Sequence, residues 1–139
     1  MTIYKKSVSC DKTNLIVLRE FVSQVLQSHH VSSQDISLLV LAVDEVCTNV
    51  MVHSHQCNPK EIVTLRIVQE DGRFAFEIYD NGKCFNILEH KEPSLYQVIK
   101  EKKSGGLGLL LVKRIVDAIE MDIRKTGNVY RLIKNTAVC

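Results

Sequence analysis

The chain has 139 residues, with 18 Lys or Arg against 16 Asp or Glu, a formal net charge of +2 and 45% apolar residues. That length suits a single domain, residues 1–139, with enough burial for a real core. Near charge balance and the lack of any long basic block or membrane-length apolar run argue against nucleic-acid and membrane surfaces, and with no apolar signal segment after Met1 a soluble, cytoplasmic protein is expected.

In chain order, Ile3 to Val8 reads as a short first strand. Asp11 is a candidate cap for a helix running to about His29, with Leu15, Leu18, Phe21, Val22, Val25 and Leu26 on its buried face. His29 and His30 close that helix, where a cation suits the dipole and nothing further is required of them. Ser32 or Ser33 then caps a second helix extending to His53, with Asp35 in its first turn and Asn58-Pro59 beyond its end. Ile62 to Gln69 and Phe74 to Tyr79 alternate apolar and polar around Asp71-Gly72, which predicts a β-hairpin. The second of these strands ends in the turn Asp80-Asn81-Gly82-Lys83. Residues 84–104 are mixed and end in charge, as a mobile segment would, with a short helix around Leu95 to Ile99. Gly105-Gly106-Leu107-Gly108 opens a helix carrying Leu109, Leu110, Val112, Ile115 and Val116. Two last strands, about Glu120 to Lys125 and Val129 to Lys134, flank the turn Thr126-Gly127-Asn128. This order predicts a two-layer α/β sandwich: a mixed, mostly antiparallel sheet covered on one face by helices.

The second helix is the element the rest is organised around. It is apolar at Ile36, Leu39, Val40, Val43, Cys47 and Val50, so burial on more than one side is expected. Yet Glu45, Asn49 and His53 follow one another at four-residue steps along one side. Polar groups in such a helix cost free energy unless partnered. They satisfy each other, or they face a site. Two other stretches favour a site. Asp80-x-Gly82 ends a strand with a glycine that lets backbone approach a ligand closely, and Gly106-Leu107-Gly108 starts a helix whose free N–H groups suit phosphate oxygens.

In this order and spacing the three stretches resemble the histidine-kinase-like (GHKL) ATPase superfamily, and within it the small anti-sigma-factor serine-protein kinases of bacteria. Asp44-Glu45-Val46-Cys47-Thr48-Asn49-Val50-Met51-Val52-His53 is similar to their asparagine-bearing helix, Asp80-Asn81-Gly82-Lys83-Cys84-Phe85 to their adenine turn, and Gly105-Gly106-Leu107-Gly108-Leu109 to their phosphate turn. The resemblance implies ATP and Mg²⁺ as cofactors, with Asn49 as the metal ligand and Glu45 as the catalytic carboxylate that accepts a proton from the attacking hydroxyl. It implies a nucleotide-binding set of Asn49, His53, Asp80, Gly82, Cys84, Gly105, Gly106, Leu107, Gly108, Leu109 and Asn128. Asp80 would accept from the adenine amino group, Gly82 would leave room for the ring, and Lys100, Lys102 or Lys103 would add charge near the phosphates. As partners it implies a sigma factor held inactive, a small anti-anti-sigma antagonist phosphorylated on serine or threonine, and a second copy of the chain in a homodimer.

Three positions depart from the family pattern: Cys84 stands where a second glycine is usual, Asn128 follows Gly127 where threonine is common, and Ser104 precedes Gly105 where some members have arginine. They make a catalytically weak, nucleotide-responsive binding module the rival reading. A detached two-component histidine-kinase domain is weaker, since no helix here presents a phosphate-accepting His mid-face. The run His53-x-His55-x-Cys57 does not make a zinc site, because residues two apart on a helix diverge and no second ligand cluster follows. Asp44 points about a hundred degrees away from Glu45 and is the poorer base. The five cysteines, Cys10, Cys47, Cys57, Cys84 and Cys139, are odd in number, contain no Cys-x-x-Cys and read as reduced thiols.

Overall fold

The centre of the sheet is the hairpin that Asp71-Gly72 makes possible. In the computed structural model, which describes residues 1–54, 60–80, 104–124 and 127–136, Asp71 has φ 49° and Gly72 φ 72°. Two successive positive φ angles give the tight turn whose twist matches its flanking strands. Five strands, β1 (Thr2–Ser9), β2 (Ile62–Glu70), β3 (Arg73–Asp80), β4 (Ala118–Arg124) and β5 (Gly127–Asn135), pair in the order β1-β2-β3-β5-β4. Every pairing is antiparallel, so the sheet of the described residues is simpler than the mixed one expected. The expected turn at Thr126-Gly127-Asn128 also changes. Gly127 and Asn128 already lie in β5, opposite Arg124 and Ile123, and Gly127 has φ 148°, an angle open to a residue without Cβ.

Among the described residues three helices lie on one face of this sheet: α1 (Leu15–Ser28), α2 (Ser33–Asn49) and α3 (Ser104–Ile115). Asp11 caps a separate 3₁₀ turn, Lys12–Asn14, accepting from the Thr13 N–H at 2.9 Å, and α1 begins only at Leu15. Ser32 is the cap of α2, its hydroxyl accepting from the Asp35 N–H at 3.2 Å. Contrary to expectation α2 does not run on to His53; it ends at Asn49 and passes into a π turn, Val50–Ser54. The core forms where α2, packed against both α1 and α3, meets the middle strands. Leu39, Val43 and Val46 of α2, Leu18 and Val22 of α1, and Val112 of α3 pack over Leu65, Ile67, Phe76, Ile78 and Leu132. Each such side chain contributes roughly 1.5–3 kcal/mol on burial.

His29 does more than close its helix. Its Nε2 lies 2.9 Å from the Tyr4 hydroxyl, and its ring meets Tyr4 and Phe74 edge-on, fastening β1 to the end of α1. The Asn58-Pro59 stop and the short helix expected around Leu95 to Ile99 lie outside the described residues. No helix among the described residues is long and apolar enough to cross a membrane.

Candidate nucleotide site

Alternation along β3 and β5 brings Ile78 and Tyr130, both fully buried, onto the helix-covered face; two residues further along that face stand Asp80 and Asn128. These two are direct cross-strand partners and are 1% and 5% exposed. A carboxylate and a carboxamide so deep are costly unless something meets them. They make one end of an otherwise apolar face polar.

The second helix ends at the same place. The Cys10 thiol donates to the Met51 carbonyl at 3.6 Å, and the Cys10 N–H donates to the Glu61 carbonyl at 2.8 Å. The turn after α2 is thereby pinned where β1 ends and β2 begins, and Val63 of β2 pairs with Asp80. Asn49, two residues before Met51, is 6% exposed. Its Nδ2 donates to the Glu45 carbonyl at 2.8 Å and to Glu45 Oε1 at 3.3 Å. With both amide protons so used, Oδ1 is the atom the side chain offers a cation.

Glu45 itself is half-buried. Burial raises its pKa above the ordinary 4.5, the Asn49 hydrogen bond pulls the other way, and the charge of Asp44 adds to the rise. Asp44 is turned to α1, where Arg19 Nε meets its Oδ1 at 2.7 Å. That pairing spans 25 positions, and no local sequence signal marks it. Cys47, on the same helix, is fully buried and its thiol is pushed up to about 12, so it stays protonated.

The first turn of α3 completes the set. Ala118 opens β4 opposite Ile133, which pairs with Ala75, so the chain leaves α3 at the end of the sheet far from Asp80. A helix of 12 residues is ~18 Å long, and its N-terminus therefore reaches back toward the Asp80 end. The helix begins at Ser104, so Gly105, Gly106, Leu107 and Gly108 lie at the start of the helix rather than before it. The first N–H groups of a helix have no partners within it, and glycine at 105, 106 and 108 leaves no Cβ to keep a phosphate from that end. The Leu109 side chain is 2% exposed in the core, which leaves its backbone as the part a ligand would meet. His53 sits in the π turn after Asn49. Gly82 and Cys84 lie outside the described residues, as do His55, Cys57, Lys100, Lys102 and Lys103.

The donor set suits a magnesium nucleotide. A carboxamide oxygen is a hard ligand, and among the described residues no group of three or more His, Cys, Asp or Glu side chains is placed to hold a metal unaided. Mg²⁺ characteristically takes one or two protein oxygens and completes its shell with phosphate and water. The buried Asp80 carboxylate is an acceptor for an exocyclic amino group, and the Asn128 amide beside it both donates and accepts.

Residues 8–134 match the family model described as "Histidine kinase-like ATPase domain". The chain belongs to that family. Among relatives of this histidine kinase-like ATPase domain, "Anti-sigma F factor" of Geobacillus kaustophilus (strain HTA426) is 26% identical over 102 residues, covering 70% of each chain. "Serine-protein kinase RsbW" of Bacillus licheniformis is 26% identical over 111 residues, covering 77% of this chain and 69% of the relative. A crystal structure of the RsbU and RsbW domains of Rv1364c from Mycobacterium tuberculosis superposes with a TM-score of 0.67 at 13% identity. The match covers 97% of this chain and 32% of the Mycobacterium protein, and it establishes the fold.

Proposed function

We propose that this chain is an ATP-dependent protein-serine/threonine kinase that doubles as an anti-sigma factor, sequestering a sigma factor and phosphorylating a small antagonist protein. The observation that carries this reading is the Glu45–Asn49 pair, bonded to itself at the polar end of the sheet with a carboxamide oxygen to spare. Relatives named as an anti-sigma factor and a serine-protein kinase support the two roles.

Asn49 would hold Mg²⁺, Asp80 and Asn128 would meet the adenine, and the first turn of α3 would face the phosphates. When bound, Mg·ATP supplies the transferable phosphoryl group and the charge neutralisation on which such transfer depends. The chain's own work is positional. Asn49 holds the Glu45 carboxylate through Oε1, leaving Oε2 to take the proton of an incoming hydroxyl. The raised pKa of Glu45 makes it a stronger base than a solvated carboxylate, and the Arg19–Asp44 pair keeps the neighbouring charge from competing for that role.

The test is incubation with Mg·ATP and a candidate antagonist, followed by mass spectrometry for phosphoserine or phosphothreonine. Glu45→Ala is expected to lower transfer by about 10²–10⁴-fold while nucleotide affinity stays within a few-fold. Undiminished transfer would remove Glu45 from the mechanism. The sequence departure at Cys84 favours the second reading, a silent nucleotide-responsive module. Sigma-factor capture that depends on nucleotide, with no phosphorylated product, is its signature.

A further inference from the structure

The proposed nucleotide site has two polar ends on different elements, Asn49 closing α2 and Asp80 closing β3. The bonds from the Asn49 amide to Glu45 set the carboxamide relative to its own helix. They leave the place of the helix end on the sheet to other contacts. Cys10 supplies two of these. Its thiol donates to the Met51 carbonyl at 3.6 Å, across 41 positions of sequence. Its N–H donates to the Glu61 carbonyl at 2.8 Å, which carries the β1–β2 ladder one step past the Ser9–Ile62 pair. Val63, the next residue of β2, pairs with Asp80. One residue thus touches both the helix end that bears Asn49 and the strand whose register reaches Asp80. The helix end is also where a donor from outside is wanted. The last carbonyls of a helix lack partners in its own ladder, and α2 changes step into the π turn at Val50. Cys10, Val50 and Met51 are all fully buried, away from water that could serve instead.

We infer that Cys10 is a positioning residue for the magnesium nucleotide: its thiol holds the π turn after α2 and so sets where Asn49 offers Oδ1 relative to Asp80. This assignment rests on the reading of Asn49 as the magnesium ligand. Cysteine suits the task. It packs as a small apolar residue, here within the core cluster, and still gives a hydrogen to a carbonyl. Cys10 is a free thiol, so that hydrogen is not lost to a disulfide. The metal is the part of the ligand that would feel a loosened turn most. Mg²⁺ demands near-ideal octahedral geometry with oxygens at about 2.0–2.1 Å, so a drift of about 1 Å at the turn removes Asn49 from its shell. Contacts of Asp80 and Asn128 with a base do not pass through the turn. The consequence is specific: without the thiol donor, the gain in affinity that Mg²⁺ brings should shrink, while binding of the metal-free nucleotide changes little.

Calorimetric titration of the full chain with ADP, once in Mg²⁺ and once in EDTA, gives the ratio of the two affinities as the readout. The Cys10 N–H bond to Glu61 survives every substitution used, so the thiol is tested alone. Cys10→Val keeps the apolar bulk and removes the donor, whereas Cys10→Ser keeps a donor and gives up apolar contact. Cys10→Val should lower the ratio about fivefold, the worth of one hydrogen bond, and Cys10→Ser should hold it within about twofold. Cys10→Ala, also without a donor, should follow Cys10→Val and stands in for it if valine does not fit. Circular dichroism melts establish that each variant is folded. A packing role would instead lower the Tm of Cys10→Ser and leave the ratio alone in all three. Asn49→Ala marks the value for complete loss. If Mg²⁺ leaves the natural affinity unchanged, or Asn49→Ala keeps the natural ratio, the metal reading of Asn49 fails and the role of Cys10 falls with it. If both behave as expected but the donor-free variants keep the natural ratio, or Cys10→Ser loses it as fully as they do, Cys10 alone is withdrawn.

Discussion

Glu45 carries an energetic cost from its burial, and its sign is measurable. Burial raises its folded pKa above the ordinary carboxyl value of 4.5. A raised acid contributes stability that is fully present below the unfolded value and lost as pH rises through the folded one. Near neutral pH the charged form is therefore paid for by the fold. Glu45→Gln, which keeps the hydrogen-bonding shape without the charge, is expected to melt a few degrees higher than the natural protein at about pH 7.5. The gap should close as pH falls toward and below 4.5, where the natural carboxyl is neutral as well. A gap that widens on acidification would show that the shift runs the other way. The acidic limb of the transfer rate should move with the same group, activity falling as Glu45 takes up its proton. The four-residue step from Glu45 to Asn49 was legible in the sequence, because a helix repeats its faces at that interval. Arg19 was not: its link to Asp44 depends on how two helices pack, and periodicity holds no trace of that.

At the scale of elements, local chemistry predicted most of what local chemistry controls. Asp71-Gly72 marked the hairpin because few other pairs accept φ of 49° and 72° in succession. Asp11 marked a helical start but could not say which helix. The same carboxylate-to-N–H bond serves the first turn of a 3₁₀ or an α segment, and here a 3₁₀ turn precedes α1. The π turn after Asn49 had no signature at all, since an inserted residue leaves the apolar pattern of α2 almost unchanged. Gly-Asn favours a turn at Asn128, and cross-strand pairing with Asp80 overrides that preference. Among these elements α2 is the one the site depends on, and its start is as consequential as its end. Ser32→Ala removes the acceptor of the Asp35 N–H and should cost about 1 kcal/mol. Urea melts should show the midpoint falling with the slope unchanged, as for a lost cap rather than a loosened fold. A change in slope would mean that the substitution alters compactness instead.

At the scale of the molecule, the layered design gathers the buried polar side chains Asp80, Asn128 and Asn49 at one end of the helix-covered face. Leu65, Phe76, Ile78, Tyr130 and Leu132 make the middle apolar, and Asp80, Asn128 and Asn49 terminate it. If these three buried polar side chains meet a nucleotide as proposed, binding and stability are coupled. A ligand that binds only the folded state stabilises by RT ln(1 + [L]/Kd), about 2.7 kcal/mol at a hundredfold excess. For a chain of this length that is roughly an 8–12 °C rise in Tm. Mg·ATP or Mg·ADP should produce such a rise, a metal chelator should reduce it, and GTP should fall well short, because guanine has a carbonyl where adenine would offer Asp80 its amino group. Asp80→Ala separates the two roles of that carboxylate. If Asp80 is there for adenine, the variant keeps the unliganded Tm within a few degrees, or raises it through relief of a buried charge, and loses the nucleotide shift. If Asp80 serves the strand end alone, the unliganded protein melts lower and the nucleotide shift survives intact. The second outcome would withdraw Asp80 from the site and leave Asn128 as the residue of that end on which adenine recognition would have to rest.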